Sequence, residues 1–368
     1  MPSRRVLLVV EQLRRAVPGG IGTYVRGVLQ GLHELTSNRE LPSVTLYASR
    51  PPGRTDPLAS CGDPLAVSPL PASLLTRAWT RGFTDVPSDY DVVHATSLAT
   101  PPARHAPLVT TVHDLAFREV PDAFPGRGRR WHERAWRRAL ARSAALVVPA
   151  TSVAEAVVAA GAEPRSVHVI PHGSDHLPPP DDAAADELLA RLGVPASFVL
   201  SVGTLEPRKN LVRLVAAHQQ ASRRWGERVP LVVVGPIGWG PGLAHHLGSS
   251  DAVRLAGAVD AATLAALYAR ALAVAFVPLL EGFGLPVLEA MAAGTPVVAS
   301  PVPSLAGAGG VAEVVDPTDE ASIVEGLTRL VTDAGLRASL AEAGRRHAAG
   351  LTWARSAAAH AQLWDSLG

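Results

Sequence analysis

Cysteine is almost missing from this chain: Cys61 is the only one. A disulfide framework and a cysteine-based zinc site are therefore excluded. Lysine is almost missing as well. Lys209 stands alone, and every other basic residue is arginine. A GC-rich genome drifts lysine to arginine, so one surviving lysine is a flag. Aromatic residues make up only 5%. That leaves a core of alanine, valine and leucine, suited to parallel sheets under alanine-rich helices. Neither sign of charge dominates, with 34 Lys+Arg against 33 Asp+Glu. A net charge of +1 gives the whole-molecule field no case for nucleic acid. No apolar run approaches the ~20 residues that span a bilayer. The N-terminal MPSRRVLLVVEQ holds two arginines but too short an apolar run before Glu11 for a secretory signal, and reads as a first buried strand. These absences point to a soluble protein of a reducing compartment. What is present is length: 368 residues suffice for about two domains of roughly 150 residues each, and a core of that size needs no covalent staples.

Short apolar, β-branched runs alternate with longer helical patterns. Candidate strands fall at 6–10, 44–48, 91–94, 108–112, 146–149 and 167–170, then at 198–202, 231–235, 253–255, 273–278, 296–300 and 312–315. Helical patterns lie between them at 24–35, 129–142, 211–225, 263–271 and 285–293. Alternation of this kind implies βαβ units and parallel sheets. Twelve strands are too many for one ordinary open sheet, so the expectation is α/β with two Rossmann-like, doubly wound domains. The break is expected in HLPPPDDAAADELL (176–189), read as a stiff, solvated linker. Residues 1–178 hold 20 arginines against 15 acids, and the remainder 14 basic against 18 acidic residues. The expected domains are 1–178 and 190–351. The segment 352–367 reads as a Trp- and Ala-rich helix that either crosses back to the first domain or packs on the second.

Three loops carry chemistry. PGGIGTYV (18–25) follows the first strand, and Gly19, Gly20 and Gly22 let backbone come close to a ligand at a helix N-terminus. It is also readable as a purely structural turn. A nicotinamide fingerprint is disfavoured: the third glycine is missing, and the next strand ends at Ala48-Ser49-Arg50 with no acid for a ribose. FVPLLEGFGLPVLEAMAAGTPVVAS (276–300) places Glu281 after a strand, Gly282-Phe283-Gly284 next, and a helix from Leu285. Exposed amides at 282–285 are expected to point at a ligand above the sheet's carboxyl edge. Glu289, one turn into an apolar helix, would be costly to bury unpartnered. A carboxylate at either position can take sugar hydroxyls. SVGTLEPRKNLVRLV (201–215) is again a strand, a turn containing Gly203, and a helix start. Arg208 and Lys209 suit a diphosphate there: a planar fork and a compact point charge.

The paired-glutamate segment, the EPRKN turn, the PGGIGTY loop and HGSD (172–175) together resemble family 4 of the retaining glycosyltransferases. The resemblance covers nearly the whole chain and departs at His172, where many members carry Asn. It implies the GT-B architecture, two Rossmann-like domains facing across a cleft, with 352–368 returning to the first. It implies a nucleotide-sugar co-substrate and no cofactor or metal. By the same resemblance Arg208 and Lys209 neutralise the leaving diphosphate, Glu281 with the amides of Phe283 and Gly284 holds the donor sugar, and Glu289 holds the ribose. Gly19, Gly20, Gly203 and Leu285 complete the donor site. His113, in TTVHDLAF (110–117), faces the reactive side of the sugar or serves only structure; Asp114 can cap a helix. The implied donor is GDP-mannose, on the wording of GTLEPRKN, with a UDP-hexose close behind. The implied acceptor is a glycan or glycolipid.

The pairs Asp89/Asp91 and His168/His172 are read as non-metal: the first as a solvated strand entry, the second as strand residues beside Pro171. In RGRRWHERAWRRALARSA (127–144), Trp131, Ala135, Trp136, Ala139 and Leu140 share half of the wheel, and Arg130, Arg134, Arg137 and Arg138 the other. Such a helix docks on anionic lipid or an anionic acceptor, or faces the core with a solvated arginine face. A cytoplasmic place is expected, either free of the membrane or peripheral on its inner face. Rival readings are a sugar-nucleotide epimerase or glycogen-synthase-like enzyme on the same architecture, and a non-catalytic nucleotide-sugar-binding protein.

Overall fold

The fold is described from a computed structural model, over residues 4–36, 41–51, 53, 55–226, 228–239 and 252–367. The chain divides into two compact units, Met1–Gly173 with Thr352–Gly368, and Ser174–Leu351.

The first unit holds a seven-stranded parallel sheet in the order β3-β2-β1-β4-β5-β6-β7. Its strands are β1 Arg5–Val9, β2 Ser43–Arg50, β3 Leu65–Pro71, β4 Val92–Ala95, β5 Leu108–Thr111, β6 Ser143–Val148 and β7 Val167–Val169. Its helices are α1 Gly19–Thr36, α2 Ala72–Arg81, α3 Ala116–Glu119, α4 Gly126–Arg142 and α5 Thr151–Ala159. The second unit holds a six-stranded sheet, β10-β9-β8-β11-β12-β13. Its strands are β8 Val199–Val202, β9 Leu231–Val234, β10 Val253–Gly257, β11 Ala273–Phe276, β12 Val297–Ala299 and β13 Glu313–Val314. Its helices are α6 Asp182–Arg191, α7 Leu211–Ser222, α8 Ala261–Arg270, α9 Leu285–Ala292, α10 Glu320–Thr332 and α11 Ala334–Ala349. The last helix, α12 Trp353–Ser366, belongs to the first unit.

The central strands are buried along their whole length, as in β4, β5, β9 and β11. That explains their continuous apolar runs, since helices cover both faces of such a sheet. Strand β3 is the exception the sequence reading omits. It sits at the sheet edge with Pro69 and Pro71 and little burial; an edge strand needs neither an apolar run nor every N–H.

The segment read as a linker also differs. Residues 182–191 are helix α6, capped by Asp181, which accepts from the Ala184 amide at 3.0 Å, with Ala185, Leu188 and Leu189 buried. The boundary between units falls instead at 173/174 and 351/352. Helix α1 begins five residues earlier than its periodicity suggests, so Gly19, Gly20 and Gly22 form its first turn.

Helix α12 packs on α1 because Gly27 and Gly31 lie one turn apart on α1 and leave room for Trp353. A Cβ at either would fall within 2.1–2.2 Å of Trp353 atoms. Below Trp353 runs a relay of buried hydrogen bonds whose direction is set by its ends. Trp364 Nε1 can only donate, to His94 Nδ1 at 3.2 Å. His94 Nε2 then donates to Thr111 Oγ1 (2.8 Å), Thr111 to Tyr24 Oη (2.9 Å), and Tyr24 to His360 Nε2 (2.8 Å). His360 Nδ1 donates to the Ser356 carbonyl at 2.8 Å. Each imidazole must stay neutral for the relay to hold. Burial agrees: it lowers His360 to about 4 and His94 well below its ordinary value.

Candidate functional site

In each sheet the strand order reverses direction once, beside β1 in the first and beside β8 in the second. Loops at the carboxyl edge diverge at such points and leave room for a ligand. In the second unit the two strands at this point are β8 and β11. The first leads into the 203–210 turn and the second into the 277–284 loop, so the topology brings the EPRKN turn to the Glu281 loop.

The turn is rigid. Asn210 takes a left-handed backbone (φ 58°), and its side-chain amide donates to Val277 O (3.1 Å) and Pro317 O (2.8 Å). The Leu279 amide donates to Arg208 O at 2.9 Å, tying the two loops together. Gly203 has φ 153°, and a Cβ there would stand 3.3 Å from the Lys209 side chain, which lies over it.

Four buried or nearly buried charges meet here. Glu206 accepts from Arg208 Nε at 3.1 Å and lies 2.8 Å from Nη2. Arg208 Nη1 donates to Leu280 O at 3.1 Å and to Glu281 Oε1. Lys209 Nζ lies 2.7 and 3.1 Å from the two Glu281 oxygens and 4.9 Å from the centre of the Phe276 ring. Side-chain exposure runs from 4% at Glu206 to 15% at Arg208. Burial alone would raise the Glu281 pKa, but Lys209 and Arg208 outweigh it and hold the carboxyl below its ordinary value. For Glu206 burial prevails over the same two cations and pushes its pKa up. Two cations and two carboxylates leave the cluster formally neutral.

The residues of the 282–285 segment are buried. Gly284 turns with φ 101° and packs on Val302 and Ser304, and the Ser304 amide donates to Phe283 O at 2.8 Å. Helix α9 starts at Leu285 with Pro286 in its first turn, where the missing N–H costs nothing. Glu289 on this helix is 6% exposed and partnered at both oxygens. His176 Nε2 lies 3.0 Å from Oε1, and Tyr268 Oη donates to Oε2 at 2.7 Å. A carboxylate with two partners still has lone pairs to offer.

In the first unit, Gly19 (φ 60°) and Gly20 open α1 with free space where a Cβ would stand. His113, just past β5, has Nε2 2.9 Å from Thr96 O and its ring edge-on to Tyr24 at 5.0 Å. Burial lowers its pKa, so the ring is neutral, with Nε2 donating and the Nδ1 lone pair left over. Asp114 accepts from the Ala116 amide at 3.0 Å, fixing the turn that leads into α3. Asp91 accepts from the Arg5 amide at 2.7 Å, a strand-entry role. His168 lies within β7, and His172 stacks on Trp353 at 5.6 Å. Among the described residues no group of three or more His, Cys, Asp or Glu is arranged to hold a metal ion. The four arginines of α4 do not act as one set. Arg137 is bound by Glu133 at 3.2 Å, which also holds Arg118 at 2.6 Å, while among the described residues Arg130, Arg134 and Arg138 form no such pair.

Three residues were not anticipated: Glu206, His176 and Tyr268. Glu206 lies within EPRKN, and its signal was an acid two residues before a cation in a turn. His176 and Tyr268 reach Glu289 over 113 and 21 residues of sequence, and no local pattern marks them.

Comparison with known proteins places this geometry. Residues 18–176 match the profile described as Glycosyltransferase Family 4, and residues 191–347 that of Glycosyl transferases group 1. D-inositol 3-phosphate glycosyltransferase of Salinispora arenicola is 36% identical over 280 residues, 68% of this chain and 61% of that protein. The match thus spans under two thirds of that relative's length. O-antigen chain mannosyltransferase B of Escherichia coli is 30% identical over 261 residues, 68% of each chain. A crystal structure of Anabaena HepE in complex with UDP and glucose superposes with a TM-score of 0.75, at 19% identity, over 99% of this chain and 100% of that one. Structural likeness at that identity speaks for the fold, which is GT-B. The relatives, the two profiles and the two parallel sheets agree, and the chain belongs to the family 4 glycosyltransferases.

Proposed function

We propose that this protein is a retaining, metal-independent glycosyltransferase that moves a hexose from a nucleotide sugar to a glycan or glycolipid acceptor. One observation carries the reading: the only lysine of the chain shares a buried cluster with Arg208 and Glu281 at the carboxyl edge of β8 and β11. When the bond between the anomeric carbon and the phosphate oxygen breaks, the nucleoside diphosphate departs with the electron pair. Arg208 and Lys209 turn from Glu281 to that charge, the largest electrostatic task of the reaction. Glu281, released, accepts from a donor-sugar hydroxyl, and Glu289, held by His176 and Tyr268, accepts from the ribose. The acceptor hydroxyl attacks the face the diphosphate leaves, and its proton passes to the departing phosphate oxygen. His113 Nδ1 accepts from a hydroxyl of the donor sugar.

GDP-mannose is the first donor reading, supported by the name of the Escherichia coli relative. UDP-glucose is the second, supported by the ligand of HepE. Arg130, Arg134 and Arg138 of α4 serve an anionic acceptor or an inner-membrane surface, while Arg137 is held by Glu133. No helix among the described residues is long and apolar enough to cross a membrane, so contact with one would be peripheral.

A thermal-shift panel of nucleoside diphosphates tests the donor site. A ligand at ~100 times its dissociation constant adds about 2.7 kcal/mol of stability. Lys209→Ala is expected to remove most of the GDP or UDP response while keeping the fold; an undiminished response contradicts the assignment. Transfer in a chelator is expected to continue, and complete loss there would refute metal independence. An acceptor screen separates the rivals, because an epimerase turns over donor alone.

A further inference from the structure

Helices α2 and α4 of the first unit line a cavity of ≈ 560 Å³ on which six arginines converge: Arg77 and Arg81 from α2, and Arg127, Arg130, Arg134 and Arg138 from α4. The two other lining residues, a threonine and a tryptophan, carry no charge. The spacing on α4 is three, four and four residues, which sets its four arginines in one stripe; Arg77 and Arg81 stand four apart on α2. Like charges at this spacing destabilise a helix, and here two such stripes share one cavity.

Nearby carboxylates are already engaged. Glu133 holds Arg118 and Arg137 on the other flank of α4, and Asp85 lies 3.6 Å from Arg104. Among the described residues, none of the six arginines forms an ion pair with a carboxylate. Arg138 is the most enclosed of them. Its Nε is buried without a hydrogen-bond partner, and burial together with Arg142 and Arg134 lowers its pKa. A guanidinium nonetheless keeps its charge at any working pH. The cavity is therefore a preassembled array of uncompensated forks, and the fork geometry matches phosphate oxygens two at a time.

We propose that this cavity binds an anion carrying two or more linked phosphate groups. A single phosphate would leave most of the six charges unmet, whereas a chain of phosphates meets them in pairs. The proposal deepens the acceptor-side reading of α4, and rests on it for biological purpose, but binding here does not depend on sugar transfer. The phosphates belong either to a free polyphosphate-type anion or to the headgroup of a lipid diphosphate.

Calorimetric titration of the full chain with tripolyphosphate at low salt tests the site. The wild type is expected to bind, more weakly as salt rises. Arg77→Gln/Arg81→Gln is expected to bind at least ~10-fold more weakly, having lost two charge-assisted forks. Its melting temperature should stay level or rise, because like-charge repulsion is relieved. Arg137→Gln, whose side chain lies on Glu133, should bind as wild type. Lys209→Ala, which weakens only binding at the donor site, should keep the part of the binding that the α2 double variant loses, and so separates the two sites. Undiminished binding by the α2 double variant, or loss in Lys209→Ala alone, overturns the proposal. In a second arm, vesicles doped with a polyprenyl diphosphate identify the source. Pelleting reversed by tripolyphosphate supports the site with a lipid source, and tripolyphosphate binding without pelleting supports it with a soluble one. Pelleting that tripolyphosphate cannot displace contradicts a discrete pocket.

Discussion

Two buried polar groups, one in each unit, are built in opposite ways. The first unit buries a relay of neutral side chains from Trp364 through His94, Thr111, Tyr24 and His360 to the Ser356 carbonyl. Every donor in it is used, so it has nothing to offer a ligand. It fastens α12 to α1 and steadies the end of β5, from which His113 projects. The second unit buries charges, Glu206, Arg208, Lys209 and Glu281, in a formally neutral group. Charges of this kind exchange partners at low cost, because an arriving anion replaces one already desolvated. Buried polarity thus serves as scaffold in the relay and as site in the charged cluster.

The sharpest break in the comparison is expected from Lys209→Ala. Removing one donor to a developing negative charge costs about 10²–10³-fold in turnover, measured as kcat/KM with the nucleotide sugar, while the melting behaviour of the first unit stays unchanged. Next is Glu281→Gln. Leaving Arg208 and Lys209 with one carboxylate fewer is expected to destabilise the second unit by about 3 kcal/mol, the lower end for a broken buried pair, read by urea unfolding.

Acid should act on the other unit. His360 is lowered from 6.5 to about 4 by burial, opposed by its bond to Ser356 O. Between those values the unfolded chain binds the proton and the folded one does not, so stability is full above pH 6.5 and falls as pH drops toward 4. By linkage this one group accounts for about 3 kcal/mol. His94, His113 and His132 are lowered in the same unit, against His218 alone among the described histidines of the second. Hydrogen exchange at pH 4.5 is therefore expected to open the first unit before the second, and His360→Gln should reduce the difference. The smallest effect is expected from Tyr24→Phe, which deprives Thr111 and His360 of a shared partner, at about 1–2 kcal/mol by chemical unfolding.

Sequence alone made the strands legible wherever both faces are covered, as in β5 or β9, because burial on two sides leaves a continuous apolar run. It missed β3, an edge strand with two prolines, and took α6 for linker because prolines and acids flank it. The loops of the site were legible for a related reason: a strand, a glycine turn and a helix start locate a carboxyl edge. Arg208, Lys209, Glu281 and Glu289 could be placed there from spacing. What those side chains touch could not. The bonds of Glu289 to His176 and Tyr268, and the relay joining residues 24, 94, 111, 360 and 364, are set by packing between distant segments. Packing was equally hidden: Gly284 lies against Val302 and Ser304 of the next loop.

The central claim is that Glu281 holds the place a diphosphate takes. Calorimetric affinity for GDP and UDP, without sugar, tests it on the wild type, Lys209→Ala and Glu281→Gln. The account predicts weaker binding for Lys209→Ala and, because the competing carboxylate is gone, tighter binding for Glu281→Gln. Affinity that falls in a folded Glu281→Gln protein, or stays constant in Lys209→Ala, would contradict it.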